Sequence, residues 1–187
     1  MLPEQENWSR ELDQVRPLLV LLARQNVHPR LWKDVDPSGV VQETIMEAID
    51  IRDQFQGTSP AELKGWLRRI LLNNLYDAVR RVHRGKRDVD REVPIDAAID
   101  ESTGRLQAQL GGKDPTPSEI LMRQEELLDL ASALERLEPA QRDAVEFHHL
   151  QGRSLAETAG FMGRSEAAVA GLLHRGLRKL KDLVKEG

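Results

Sequence analysis

The sequence predicts an all-α chain of two small helical domains joined by a flexible acidic linker. Three observations carry that expectation. Apolar residues recur at helical rather than alternating spacing. Aromatic side chains make up only 4% of the 187 residues, against 31% charged and 40% hydrophobic. An acidic stretch containing Gly104, Gly111, Gly112, Pro94 and Pro115, with no sustained period, then separates two helical segments. The resulting limits are 1–85 for the first domain, 86–116 for the linker and 117–187 for the second. There is no cysteine, which excludes a disulfide scaffold and any cysteine-ligated metal site and suits a reducing compartment.

Taken in order, the elements have identifiable starts and stops. A first amphipathic helix is expected from about Asn7 to Gln25, ending before His28-Pro29 because proline disfavours helix in the residue preceding it. Asp36-Pro37-Ser38 starts a second, near Val40 to Gln54, whose Val41, Ile45, Ala48 and Ile49 share a face. Gly57-Thr58-Ser59-Pro60 interrupts the chain, and a long third helix follows from about Ala61 to Val82. Beyond the linker, Thr116-Pro117-Ser118-Glu119 reads as a capping box with proline at the first helical position, opening a helix to about Leu137. Glu138-Pro139 restarts another, to about Leu150. Gln151-Gly152-Arg153 forms a turn, and Ser154-Leu155-Ala156-Glu157 is a second capping box. The longest apolar run, Leu18 to Ala23, is far too short to span a membrane. The acidic Glu4, Glu6 and Glu11 do not fit a secretory leader. A cytoplasmic location is expected.

Charge is distributed unevenly. The formal net charge is −4, yet residues 64–91 hold 9 basic and 3 acidic side chains, between 1–63 with 6 and 11 and 92–129 with 3 and 9. A concentrated basic block lets an acidic protein meet a polyanion at one place. A solvated helix face would give the same charge count, and composition alone does not separate the two.

The third helix carries two stripes. At about 100° per residue, Leu63, Leu67, Leu71, Leu75, Ala78 and Val82 fall within about a third of the circle, which is a core stripe. Trp66, Arg69, Asn73, Asp77, Arg80 and Arg84 fall on another side. An aromatic plane, an amide and a row of guanidiniums can stack an unpaired base, hydrogen-bond its edge and follow a phosphate backbone. Taken alone, Trp66 reads better as part of the core. The whole stripe reads equally well as a surface with internal pairs of Asp77 with Arg80 or Arg81.

From Leu155 to His174 the spacing suits a helix-turn-helix. It has a small residue, Ala159, at a close crossing, Gly163 where the turn needs positive φ, and Val169 to pack the second helix on the first. Met162 and Leu172 join the buried set, and Ser154 and Ser165 cap the two helices. The exposed side of the second helix would carry Ser165, Glu166, Ala167, Ala170, Gly171, His174 and Arg175, followed by the basic Arg178, Lys179 and Lys181. In a DNA-binding hairpin such residues enter the major groove while flanking cations hold phosphates. A hairpin packed for its own sake could imitate this pattern. The face is small and poor in charge, so isolated affinity for DNA is expected to be weak.

The run Asp36-Pro37-Ser38-Gly39-Val40-Val41-Gln42-Glu43-Thr44 resembles the D-x-x-D-L-V-Q-E-T-F segment of bacterial sigma-70 family factors of the extracytoplasmic-function group. Phe55-Gln56-Gly57-Thr58-Ser59, then Trp66-Leu67-Arg68-Arg69-Ile70 and Asn73, match that group's F-x-G-x-S and W-L-x-R-I-x-x-N patterns. Leu134-x-x-Leu137-x-Pro139-x-x-Arg142, Ser154-Leu155-Ala156-Glu157-Thr158-Ala159, and Leu173-His174-Arg175-Gly176-Leu177-Arg178-Lys179-Leu180 are similar to its region 4. Each motif alone is moderately specific; their order and spacing over most of the chain are strongly so. Gly39 stands where the family usually has an acidic residue. Ala170 and Leu172 stand where its recognition helix commonly carries lysine and arginine.

The resemblance implies a dissociable initiation subunit with no catalytic residues, no cofactor and no metal. Residues 1–85 would be region 2-like and 117–187 region 4-like. Gln42 and Glu43, with Val40, Val41 and Thr44, would contact the clamp of the largest subunit of core RNA polymerase. Phe55, Gly57, Ser59, Trp66, Arg69 and Asn73 would capture an unstacked base of the minus-ten element, with Arg80, Arg81 and Arg84 along the phosphates. Ser154, Ser165, Glu166, Ala167, Ala170, Gly171, His174, Arg175, Arg178 and Lys179 would serve the minus-thirty-five element of promoter DNA. An anti-sigma factor is a further partner that such factors often have.

Two other classes compete with this reading. An autonomous helix-turn-helix regulator would bind DNA without polymerase, and would have no use for the Val40–Thr44 run. An enzyme finds little support, because there is no phosphate-cradling glycine loop and no cysteine nucleophile. His148 and His149 are adjacent, so on a helix they point about 100° apart and do not form a chelating i, i+4 pair.

Overall fold

The computed structural model describes residues 2–28, 31, 32, 34–86 and 117–186; the side chains of 2–7, 83–86, 117–124 and 186 lie outside that description. Every regular element among these residues is helical. The chain divides into two compact units on either side of residue 104. The linker expected over 86–116, apart from Lys86, and the expected Thr116 capping box lie outside the described residues.

The N-terminal unit is built from α1 (Leu2–Asn26), α2 (Pro37–Asp50) and α3 (Pro60–Lys86). α1 begins earlier than expected and carries Pro17 in its interior. Proline has no amide hydrogen to give the carbonyl four residues back, so the helix keeps its course through packing. Leu18, Leu19, Val20, Leu21, Leu22 and Ala23 are all buried, and six successive positions cover every side of a helix. Trp32 closes the exit from α1: its indole N–H donates to the Val27 carbonyl at 3.0 Å, and the Arg24 guanidinium lies 4.1 Å over the ring.

α2 starts one residue after its N-cap. The Asp36 carboxylate accepts from the amides of Ser38 and Gly39, both at 3.0 Å, and Pro37 occupies the first helical position, where a missing amide hydrogen costs nothing. A Cβ at Gly39 would sit 3.0 Å from Asp36 Oδ2, so a larger residue there needs the capping carboxylate to give by a few tenths of an ångström. α2 ends at Asp50, short of the expected Gln54, because Arg52–Gln54 tighten into a 3₁₀ turn.

α3 buries the expected stripe, with Leu63, Leu67, Leu71, Leu75 and Ala78 inside and Ile70 widening it. α3 packs against α2, and both pack against α1. Asn74 falls within the same stripe. Its amide donates to Glu47 Oε2 at 2.9 Å and to Thr44 Oγ1 at 3.3 Å, a polar tie between α3 and α2.

The C-terminal unit holds α4 (Pro117–Glu135), α5 (Pro139–Val145), α6 (Leu155–Met162) and α7 (Glu166–Glu186). The single helix expected from Pro139 to Leu150 changes type: Glu146–Leu150 form a π turn, in which the Gln151 amide bonds to the Glu146 carbonyl five residues back at 2.9 Å. Its wider winding leads into the Gln151-Gly152-Arg153 turn, where Gly152 adopts φ 68° and His148 Nδ1 meets the Arg153 carbonyl at 2.7 Å. α7 packs on α4, α5 and α6 through Val169, Leu172 and Leu173.

Candidate polymerase and nucleic-acid interfaces

The Val40–Thr44 run divides sharply by exposure. Gln42 and Glu43 are exposed, whereas Val40, Val41 and Thr44 are buried. The Thr44 hydroxyl donates to the Val40 carbonyl at 2.8 Å and accepts from Asn74. This corrects the expectation that all five residues meet a partner. The three buried side chains face α1 and α3, since helical periodicity cannot present five consecutive residues on one side, and they hold the helix that displays the other two. Met46 extends the displayed face as an exposed apolar residue, and so does Ile49, expected on the Val41 face.

The loop between α2 and α3 is clamped at both ends. At its exit, Glu62 Oε2 accepts from the Thr58 amide at 2.8 Å, the Ser59 amide at 3.0 Å and the Ser59 hydroxyl at 2.9 Å. These donors, the Thr58 amide foremost, hold the Glu62 carboxyl below the usual carboxylate range. Ser59 Oγ in turn accepts from the Glu62 amide at 3.3 Å. This hydroxyl therefore both donates and accepts in capping α3. The signal was in the sequence: Ser59-Pro60-Ala61-Glu62 has capping-box spacing.

At the loop entrance, Phe55 and Trp66 pack together with ring centroids 5.3 Å apart, and Trp8 from α1 lies 5.6 Å from Phe55 and 6.1 Å from Trp66. All three are half-buried. Glycine is required at 57, where a Cβ would fall 2.4 Å from Phe55 Cζ and 2.9 Å from Glu62 Cβ. Phe55, Gly57 and Trp66 thus shape the loop; Trp66, expected in the core when taken alone, is half-buried beside it. Trp8 was missed, since nothing local marks an indole whose partners lie so far along the chain.

The second stripe of α3 faces outward. Arg69, Asn73, Asp77 and Arg80 are exposed, and Arg84 lies on the same helix with its side chain outside the described set. Arg80 stands 6.0 Å over the exposed Tyr76 ring. Arg81 differs: its guanidinium lies 3.7 Å from Glu43 Oε2, and its Nε donates to the Asp77 carbonyl at 3.4 Å. A residue expected on phosphates and one expected on polymerase are therefore paired with each other. Glu43 and Arg81 also line an open groove of about 400 Å³ with Asp36, Gly39, Val40 and Ala78.

In the C-terminal unit, Ser154 accepts from the Glu157 amide at 3.2 Å and donates to Glu157 Oε2 at 2.8 Å, while the same carboxylate accepts from the Ser154 amide at 2.9 Å. The expected capping box is therefore present, and its hydrogen bonds, the Ser154 amide first, lower the Glu157 pKa. Ser154, itself exposed, thus starts α6. Gly163 adopts φ 60° in the left-handed region and ends α6; Ser165 Oγ accepts from the Ala168 amide at 3.3 Å as α7 begins. Ala159 and Val169 are buried at the crossing.

Ser165, Glu166, Ala167, Ala170, His174, Arg175, Arg178 and Lys179 are all exposed, and Gly171 is half-buried. A Cβ at Gly171 would lie 3.3 Å from an Arg175 guanidinium nitrogen, so the arginine folds back along the exposed face. Leu172 is buried; its departure from the family pattern concerns packing rather than this surface. A tight approach of α7 to α5 was missed: a Cβ at Gly176 would meet Val145 Cγ2 at 3.2 Å and Gln141 Cβ at 3.3 Å.

Among the described residues, no group of three or more His, Asp or Glu side chains could hold a metal ion, and no helix is long and apolar enough to cross a membrane.

A family model described as sigma-70, region 4 matches residues 127–180, from α4 through most of α7. The chain is 31% identical to the ECF RNA polymerase sigma factor SigE of Mycolicibacterium smegmatis, over 79% of this chain and 51% of that protein. It is 30% identical to the RNA polymerase sigma factor CnrH of Cupriavidus metallidurans, over 81% of this chain and 74% of that protein. It therefore spans about half the length of SigE. Among solved structures it is similar to the sigma factor RpoE in its co-crystal with the anti-sigma factor NepR from Bartonella quintana, at 25% identity, 96% and 98% coverage and a TM-score of 0.38. The chain belongs to the extracytoplasmic-function group of RNA polymerase sigma factors.

Proposed function

We propose that this protein binds core RNA polymerase in the cytoplasm and directs initiation at specific promoters, with residues 1–85 acting on polymerase and the minus-ten element and residues 117–187 on the minus-thirty-five element. Gln42 and Glu43 are the polymerase contacts on this reading. The loop 55–59 accepts an unstacked base, Arg69 and Asn73 meet the opened strand beside it, and Arg80, Arg81 and Arg84 lie along its phosphates. Ser165, Glu166, Ala167, Ala170, Gly171, His174, Arg175, Arg178 and Lys179 face the minus-thirty-five duplex. An anti-sigma partner is carried over from the sequence resemblance.

The observation that carries the reading is the outward stripe Arg69–Asn73–Arg80 on α3, which begins beside a loop fixed by Glu62 and leaves the core to the opposite stripe. Opening a duplex costs a few kcal/mol per unstacked base. A factor with no fuel must offset that cost by holding the opened strand more tightly than the duplex, which needs amide and guanidinium groups preset on a rigid helix. Run-off transcription with purified core polymerase tests the proposal. Adding the folded chain yields a transcript from a defined start on a cognate promoter; no promoter-dependent transcript from any candidate promoter overturns it.

A further inference from the structure

Trp8 has no assigned role, yet it is the part of α1 that reaches the loop before α3. Its ring touches both Phe55 and Trp66, with interplanar angles of 50° and 58°. The two ends of the loop are secured differently. The exit depends on Glu62, three residues away and part of the same helix start. The entrance depends on Phe55, whose ring is pressed between the Gly57 backbone and the two indoles. With Trp8 removed, that ring keeps Trp66 on one side and loses its wall on the other.

The indole is not there for its hydrogen bond. Trp8 Nε1 is buried and has no partner among the described residues, and a buried unmatched donor destabilises the fold. Packing alone would be served as well by phenylalanine. α1 is also anchored without this residue, by Leu12, Val15 and the Leu18–Ala23 run. What Trp8 adds is breadth, one aromatic plane spanning two neighbours.

We infer that Trp8 is a positioning residue for the minus-ten site: through Phe55 it fixes the loop 55–59, and so sets which unstacked base that loop accepts. The inference rests on the function proposed above. Trp8 acts on selection of the strand and not on docking, because Gln42 and Glu43 belong to α2 and neither touches the aromatic cluster.

The test uses holoenzyme assembled from the full chain and core polymerase, with a randomised single-stranded DNA pool as probe. Bound sequences are recovered, and the preferred oligonucleotide is then titrated by fluorescence anisotropy. Trp8→Ala assembles with core as the wild type does, but its affinity for the preferred oligonucleotide falls about tenfold, the scale of one to two aromatic contacts, and its base preference flattens at one position. Trp8→Phe, whose smaller ring does not span both neighbours, restores the preference only in part. In a Phe55→Ala background the Trp8→Ala change has no further effect on base preference. If Trp8→Ala assembles poorly, Trp8→Leu, which keeps apolar volume without the ring, takes its place. Unchanged base preference in the assembled variant overturns the inference, as does an effect equally large without Phe55. If the wild-type holoenzyme itself selects no sequence from the pool, the proposed function fails and this inference with it.

Discussion

Val41→Ala separates holding α2 in place from displaying it. Val41 is fully buried against the rest of the N-terminal unit. Removing its two methyl groups forfeits about 0.8 kcal/mol each in transfer, plus a cavity contribution, for about 1.5–3 kcal/mol in all. In a unit of this size that is a fall of roughly 10 °C in midpoint. All three tryptophans, Trp8, Trp32 and Trp66, lie in this unit, so intrinsic fluorescence follows its unfolding without interference from the other. The adjacent Gln42→Ala and Glu43→Ala remove exposed side chains and shift the midpoint by less than about 0.5 kcal/mol. On the proposed function these two weaken binding to core polymerase, measured by anisotropy of labelled chain below every unfolding midpoint. Val41→Ala, once folded, binds core normally. A Val41→Ala chain with an unchanged fluorescence midpoint and lost polymerase binding would refute the division, because it would make Val41 a contact instead of a support.

Three further outcomes follow from the same geometry. Gly176→Val crowds Val145 and Gln141 and costs about 1–3 kcal/mol in urea unfolding followed by circular dichroism, whereas Gly65→Ala, with no atom within 4 Å of its added carbon, gains about 0.5–1 kcal/mol. The carboxyls of Glu62 and Glu157 are both held below their ordinary value by amide donors, so the stability they contribute is present above that value and lost as pH falls through the lowered one. Helicity lost below about pH 4.5 is accordingly less steep in Glu62→Gln and Glu157→Gln, whose side chains do not titrate. Arg81→Ala breaks an exposed pair and changes stability by less than about 1 kcal/mol, but flattens the salt dependence of open-complex formation by about one unit of slope; an unchanged slope would remove Arg81 from the phosphate contacts.

Most of the fold was legible because helix periodicity and caps are local. Ser154-x-x-Glu157, Gly163 and the Leu63–Leu75 stripe need only their own neighbours to be read. Asn74, a polar residue inside that stripe, was passed over; its ties to Thr44 and Glu47 need α2 in place to be seen. What escaped depends on contacts between segments distant in sequence. Trp8 meets Phe55 and Trp66 only once α1 folds across the loop, and Gly176 matters only because α5 passes over it. The π turn at Glu146–Leu150 escaped because periodicity over five residues does not distinguish it from a frayed α-helix. The site residues that the fold turns inward or engages in caps share one cause. A motif marks a run, but a helix turns about 100° per residue, so half of such a run faces the core, as Val40, Val41 and Thr44 do, and the serines that open helices spend their hydroxyls on caps.

The approach of α7 to α5 at Gly176 bears on how this helix can evolve. A rod pinned at its middle can neither slide nor roll, so the interval from Gly163 to Gly176 acts as a ruler that sets which side chains face outward. Inserting one residue within it would swing the upstream face by about 100° relative to the pinned half and exchange Ala170 and His174 for their inward neighbours. On the proposed function, new specificity arises here by substitution at outward positions, and hardly at all by a change of length.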